Sequence, residues 1–295
     1  MKKGFRFTDA ADEYCLYDTS STVIVPVPYD GTSTWMKGAD NGPDAIFEAS
    51  QNMYLYDIET RSEPYKKGIF TDSPVREKRS PEKMVNAVYE RVAGHLKNDK
   101  FVVTVGGEHS VSVGAVKAYS EKYSDVSVLQ LDAHADLQPS FHGSPYNHAC
   151  AMARIREFCP VVQAGIRSMD DIEMREAKGS AIFYAEDIRN NRKWVKQAFK
   201  KLTKKVYVTI DIDVFDISIM PATGTPEPGG LGWYDVLYLL KKTADEKEIV
   251  GFDLVELCPN KFSKPFDFTA AKLIYKMLCY KFYREFERIA GRTYC

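Results

Sequence analysis

The apolar run Val126-Ser-Val-Leu-Gln-Leu131 ends directly in three ionisable side chains, Asp132, His134 and Asp136. Such a run reads as a buried strand, and a buried strand does not normally end this way. Side chains of extended backbone alternate in direction, so positions 132, 134 and 136 point to one side. Two carboxylates and an imidazole converging there would repel and desolvate one another unless a cation neutralised them. The pattern recurs. Val206-Tyr-Val-Thr-Ile210 leads into Asp211-Ile-Asp213, and Phe101-Val-Val-Thr-Val105 runs into Gly106-Gly-Glu-His109-Ser110. Of five histidines, four (109, 134, 142 and 148) fall in this part of the chain. A lone Asp is ordinarily a helix cap or turn residue, but that reading must explain three strand ends at once.

Strand-like runs at 22–27, 101–105, 126–131, 161–165, 181–184, 206–210 and 248–254 alternate with helical patterns. The helices are expected at 41–50, 81–97, 111–122, 148–157, 190–203, 233–245 and 268–290. The alternation predicts an α/β fold with a mostly parallel sheet covered on both faces. No repeat or linker divides the 295 residues, so one domain over 1–295 is expected. In open α/β sheets, ligands bind at the carboxyl ends of strands. Every polar cluster lies at such an end, as does Val250-Gly-Phe-Asp-Leu-Val-Glu256. His95, near a helix end, is read as a favourable dipole contact.

A net charge of -1 gives no global field for nucleic acid, and no apolar run reaches the length of a membrane span. The basic start lacks an apolar stretch behind it and is not a secretory signal. Six cysteines without regular spacing read as reduced thiols of a cytoplasmic protein. Cys150 and Cys258, close to site candidates, read as small buried hydrophobes.

Four aspartates and two histidines are too many ligands for one tetrahedral zinc. They suit two divalent cations sharing carboxylates, and oxygen-rich coordination with some imidazole favours manganese. Such a pair can lower the pKa of a water held between the ions and present hydroxide. The inferred class is metal-assisted hydrolysis.

These residues carry a resemblance. Gly106-Gly-Glu-His109-Ser, Asp132-Ala-His-Ala-Asp136 and Asp211-Ile-Asp213-Val-Phe-Asp216 resemble the metal motifs of the arginase/agmatinase (ureohydrolase) family, in order and spacing. The likeness extends to Pro28-Tyr-Asp-Gly-Thr-Ser, Gly42-Pro-Asp-Ala-Ile, Pro221-Ala-Thr-Gly-Thr-Pro-Glu-Pro-Gly-Gly-Leu231 and Pro265-Phe-Asp-Phe-Thr-Ala-Ala-Lys-Leu273. It implies a three-layer αβα sandwich, hydrolysis of a guanidinium compound to urea and an amine, and homo-oligomers of three or six subunits. It also implies two Mn²⁺ per subunit. His109, Asp132, Asp136 and Asp211 would hold one ion; Asp132, His134, Asp211 and Asp213 would hold the other, with Asp132 and Asp211 bridging. Glu256 matches the glutamate that pairs with the guanidinium, Asp136 also takes part in proton transfer, and His148 matches the proton-shuttling histidine. His142 competes with His148 for that role, and the loser would be an exposed loop residue or part of the rim. Asp216-Ile217 and Gly232 depart from the family pattern and touch no proposed ligand.

The loop Leu137-Gln-Pro-Ser-Phe-His-Gly-Ser144 does not resemble that of arginases, although Ser140 and Ser144 are possible carboxylate donors. The Thr225-Pro-Glu-Pro-Gly-Gly230 segment and Tyr146-Asn-His-Ala149 are closer to agmatinases. Agmatine, giving urea and putrescine, is therefore the expected substrate, with Glu227 as a partner for its terminal ammonium. N1-aminopropylagmatine is the alternative, ahead of arginine or guanidinobutyrate. A catalytically silent metal-binding relative and a single-zinc deacetylase are the remaining readings.

Overall fold

The computed structural model describes residues 6–189 and 191–289. Eight strands, β1 (Thr22–Val27), β2 (Ile69–Thr71), β3 (Phe101–Gly106), β4 (Val126–Leu131), β5 (Val161–Ile166), β6 (Ala181–Tyr184), β7 (Lys205–Asp211) and β8 (Glu248–Val255), form one sheet. Its order is β2-β1-β3-β8-β7-β4-β5-β6, and every pairing is parallel. Around it lie helices α1 (Gly42–Ser50), α2 (Pro81–Lys97), α3 (Val111–Lys122), α4 (Ala151–Ile155), α5 (Asp171–Glu176), α6 (Ala185–Ile188), α7 (Lys193–Lys201), α8 (Trp233–Glu246) and α9 (Pro265–Ile289).

Alternation along the strands builds two cores. Val23, Val25, Val102 and Val128 face Met84, Val85 and Val88 of α2 and Val113 and Val116 of α3. Ile24, Val103, Leu129 and Val208 face the other way, toward Phe47 of α1, Leu239 of α8 and Ile274 and Leu278 of α9. The result is a three-layer αβα sandwich. Because both sheet faces are covered, β1, β3 and β4 are buried along their whole length, which is why they read as continuous apolar runs.

The expected elements are present with shifted ends. The segment at 148–157 splits into a 3₁₀ turn, His148–Cys150, followed by α4. Helix α7 is shorter than the expected 190–203, and residue 190 lies outside the described residues. Helix α9 starts earlier, at a proline suited to a first turn, and residue 290 lies outside the described residues. The sequence reading lacked β2, α5 and α6. His95 is held by more than a helix dipole: its Nε2 is 2.8 Å from Asp72 Oδ2 and its Nδ1 3.1 Å from the Tyr17 hydroxyl. Asp72 follows β2, an element the sequence pattern did not reveal.

The sheet order decides where chemistry can occur. Strands β3, β8, β7 and β4 are consecutive neighbours, and their carboxyl ends lead into His109, Glu256, Asp211 and Asp132 respectively. Four motifs far apart in the chain thus meet on one edge of the sheet.

Candidate metal centre

His109 Nδ1 lies 3.0 Å from Asp132 Oδ2, 2.9 Å from Asp136 Oδ2 and 3.5 Å from Asp211 Oδ2. His134 Nδ1 lies 3.0 Å from Asp213 Oδ2 and 3.7 Å from Asp132 Oδ1. Two overlapping groups result, His109–Asp132–Asp211 and Asp132–His134–Asp213, with ligand atoms in each within 4.8 Å of one another. Asp132 belongs to both, one oxygen turned to each, as a bridging carboxylate requires. Asp211 falls in the first group; its Oδ1 accepts the Asp213 N–H at 2.9 Å.

Local backbone geometry aims these groups. Asp136 and Glu256 both adopt positive φ, 54° and 64°, a region that L residues with a side chain seldom occupy. Gly107 has no alternative: a Cβ there would lie 1.9 Å from Tyr29 O. Its smallness lets the His109 loop cross the end of β1.

Whether a cation suits this site can be tested on His109. The Thr209 hydroxyl donates to Asp253 Oδ1 at 2.6 Å, so its oxygen accepts from His109 Nε2–H at 2.9 Å. Tyr207 donates to the other Asp253 oxygen at 2.8 Å. With one proton fixed on Nε2, the buried Nδ1 faces three carboxylates and has no other partner. In the metal-free protein burial, which lowers His109, is outweighed by Asp132 and Asp136, which raise it well above its ordinary value, so Nδ1 carries a proton as well. A metal ion would take that proton's place on Nδ1, with Asp253 and Thr209 fixing the tautomer. Thr209→Val is accordingly expected to weaken Mn²⁺ binding about 10- to 100-fold while the protein stays folded; titration calorimetry with an unchanged circular-dichroism spectrum checks this. Asp132 is held similarly: Gln130 Nε2 donates to its Oδ2 at 2.7 Å and the His134 N–H to its Oδ1 at 2.6 Å. Gln163 in turn fixes Gln130 at 2.5 Å.

Electrostatics agree. In the metal-free protein, burial, then repulsion from Asp213 and Asp136, raises Asp132 to about 7. Burial, then repulsion from Asp213, Asp132 and Glu256, pushes Asp211 well above the carboxylate range. Burial alone would lower His134, but Asp213, Asp132 and Asp136 outweigh it and hold it at about 10. All three groups bind protons more tightly folded than unfolded, so metal-free stability falls as pH rises. Asp132 acts between its ordinary 3.8 and about 7, and His134 between 6.5 and about 10. His148, lowered first by burial, opposes this only around its ordinary value. Chelator-treated protein should therefore melt at progressively lower temperature as pH is raised through that window. Added Mn²⁺ should flatten the slope by displacing the protons; scanning calorimetry measures both.

The remaining candidates separate. Glu256 Oε1 accepts the His109 N–H at 2.7 Å, and burial, then Glu108, raises its pKa well above the usual range. A cationic partner would reverse that shift. His148 N–H donates to Thr32 Oγ1 at 2.9 Å, and its Nδ1 is 3.3 Å from the same oxygen. The Thr32 hydroxyl itself donates to Glu108 Oε1 at 2.6 Å. Nδ1 therefore carries the imidazole proton and Nε2 is the accepting position. His142 sits elsewhere: it is exposed, in a positive-φ turn, stacked on Phe141 with centroids 4.4 Å apart. Glu227 Oε1 lies 4.0 Å from His134 Nε2, and Arg167 holds its carbonyl at 2.8 Å. Ser144 Oγ accepts from Tyr146 N–H at 3.1 Å, and Ser140 is exposed. Cys150 is buried, with its thiol raised to about 11 by burial, and Cys258 lies against Lys37 O. Asp216 forms its turn with Ser218 and accepts from Gly229 and Gly230, so Ile217 leaves that loop intact. The supports Thr32, Gln130, Gln163, Arg167, Thr209 and Asp253 were not found by sequence reasoning.

Comparison with known proteins agrees with the architecture. A family model described as "Arginase family" matches residues 20–279. A Synechocystis protein named N(1)-aminopropylagmatine ureohydrolase is 37% identical, with 90% of each chain covered. A Thermus thermophilus protein of the same name is 40% identical, covering 88% of this chain and 89% of its own. The crystal structure of agmatine ureohydrolase of Thermoplasma volcanium superposes with a TM-score of 0.87 at 29% identity, covering 95% of this chain and 96% of that one. The chain belongs to the arginase family and is a ureohydrolase-type hydrolase.

Proposed function

We propose that the protein hydrolyses N1-aminopropylagmatine to urea and the corresponding amine, with agmatine as the second substrate. The observation that carries the hydrolytic reading is Asp132 shared between two His/Asp groups. Relatives named aminopropylagmatine ureohydrolase, at 37% and 40% identity, favour the longer substrate over the agmatine expected from sequence; a Pyrococcus horikoshii agmatinase is 32% identical.

In this reading His109, Asp132, Asp136 and Asp211 would hold one Mn²⁺, and Asp132, His134, Asp211 and Asp213 would hold the other. When bound, the pair supplies an activated water. The chain's own groups do the rest. A guanidinium is planar and always charged; Glu256 pairs with it and fixes its plane. Burial lowers the His148 pKa, so its Nε2 can accept a proton at neutral pH and deliver it to the departing amine. Asp136 shares in that transfer. Glu227 faces the tail's ammonium, and His142 is left as a rim residue. The same reading keeps the chain as one domain acting in the cytoplasm as a homo-oligomer of three or six.

A urea-release screen of Mn²⁺-loaded protein tests it. Aminopropylagmatine should give the highest kcat/KM, then agmatine, with arginine and guanidinobutyrate far below. A preference for arginine would overturn the substrate, and no urea from any of them would overturn the reaction.

A further inference from the structure

Of three tryptophans, Trp194 and Trp233 pack against the core, while Trp35 is 68% exposed. A large exposed aromatic is worth explaining when it sits at a site mouth. The segment carrying Trp35 is anchored on both sides. Thr32 N–H and Ser33 N–H donate to Glu108 Oε2 at 2.5 and 3.0 Å, and Thr32 also touches His148. Past the tryptophan, Met36 N–H reaches Gly224 O at 3.4 Å and Gly38 N–H reaches Asp30 Oδ2 at 2.7 Å. The neighbouring Lys37 is matched by Asp30 at 3.1 Å.

Gly224 lies between this segment and Glu256. A Cβ built on it would be 3.3 Å from Met36 O and 3.7 Å from Glu256 Oε2. The loop containing Gly224 also carries Glu227, at 4.0 Å from His134. The segment that carries Trp35 and the loop that carries Glu227 thus both border Glu256, on which the guanidine is proposed to anchor.

We infer that Trp35 determines specificity for the tail: its indole takes the ammonium of an amine-tailed guanidine, jointly with Glu227. This rests on the function proposed above. An ammonium over an indole face is attracted by the ring quadrupole, most strongly for tryptophan. A carboxylate-tailed or uncharged guanidine gains nothing from it, so the residue selects among tails without touching the reacting bonds.

The test compares wild type, Trp35→Leu and Trp35→Phe, Mn²⁺-loaded, on aminopropylagmatine, agmatine and butylguanidine, the last with an uncharged tail. Trp35→Leu should lower kcat/KM for both amine-tailed compounds about tenfold, leave butylguanidine within about twofold, and be largely rescued in Trp35→Phe. Equal loss on all three, no loss on any, or a changed subunit assembly by sedimentation would overturn it. Indole fluorescence titrated with 1,4-diaminobutane against butylamine gives a readout without turnover. Stronger quenching by the diamine, lost in Trp35→Phe, is expected, and its absence overturns the inference. Absence of urea from wild type with every guanidine overturns the proposed function instead.

Discussion

Replacing Asp132 with Asn should abolish urea release, with kcat falling at least about a thousandfold and bound manganese dropping below two ions per subunit. The size follows from position. Asp132 presents Oδ2 to His109 and Oδ1 to His134, so one substitution weakens both halves of the centre. It also removes charge from a site that, in the proposed function, balances two dications. Loss of about 4 kcal/mol of metal-derived stabilisation corresponds to that factor. Asn keeps the volume and an oxygen able to accept the His134 N–H, so the fold should survive. Elemental analysis beside a urea assay separates the cases: full metal content with near-normal turnover would show that Asp132 bridges nothing.

Glu256→Gln should lower kcat/KM about 10²- to 10³-fold while leaving manganese content unchanged. Its Oε1 is tied to the His109 N–H, a contact glutamine reproduces, so the difference isolates the charge. Removing one member of a buried charged pair costs about 2–5 kcal/mol, and the expected factor falls inside that range. Loss of the ground-state pairing should raise KM, and loss of the fixed guanidinium plane should lower kcat. Loss of metal in this variant would reassign Glu256 to the metal centre.

The strand ends were legible because their signal is local. Period-two alternation places 132, 134 and 136, or 211 and 213, on one side whatever the rest of the chain does. Glu256 was legible only through resemblance, since one acid after a strand has no distinctive pattern. The roles of the residues that hold the site were not legible, even where, as with Thr32 and Glu108, their segments were. Thr32 meets Glu108 and His148 across long stretches of chain, and Thr209 and Asp253 look like ordinary strand residues until β7 and β8 pair. The missed elements fail for other reasons. Strand β2 has only three residues, too few to show a period. Helix α5 did carry a signal, the capping box of Asp170 and Glu173, which the hydrophobic pattern concealed. Glu173 also accepts the Leu137 N–H at 2.9 Å, so that overlooked cap steadies the stretch following Asp136.

The adjacency of β3 and β8 has a consequence for biogenesis. These two strands pair in the middle of the sheet yet come from opposite halves of the sequence, so a growing polypeptide must wait with its central slot open until β8 emerges. Such non-local closure is slow and leaves apolar edges exposed meanwhile. A nascent chain stalled before β8 would present unpaired β3 and β7 borders and only part of the acidic cluster, making it a client for chaperones before it is a catalyst.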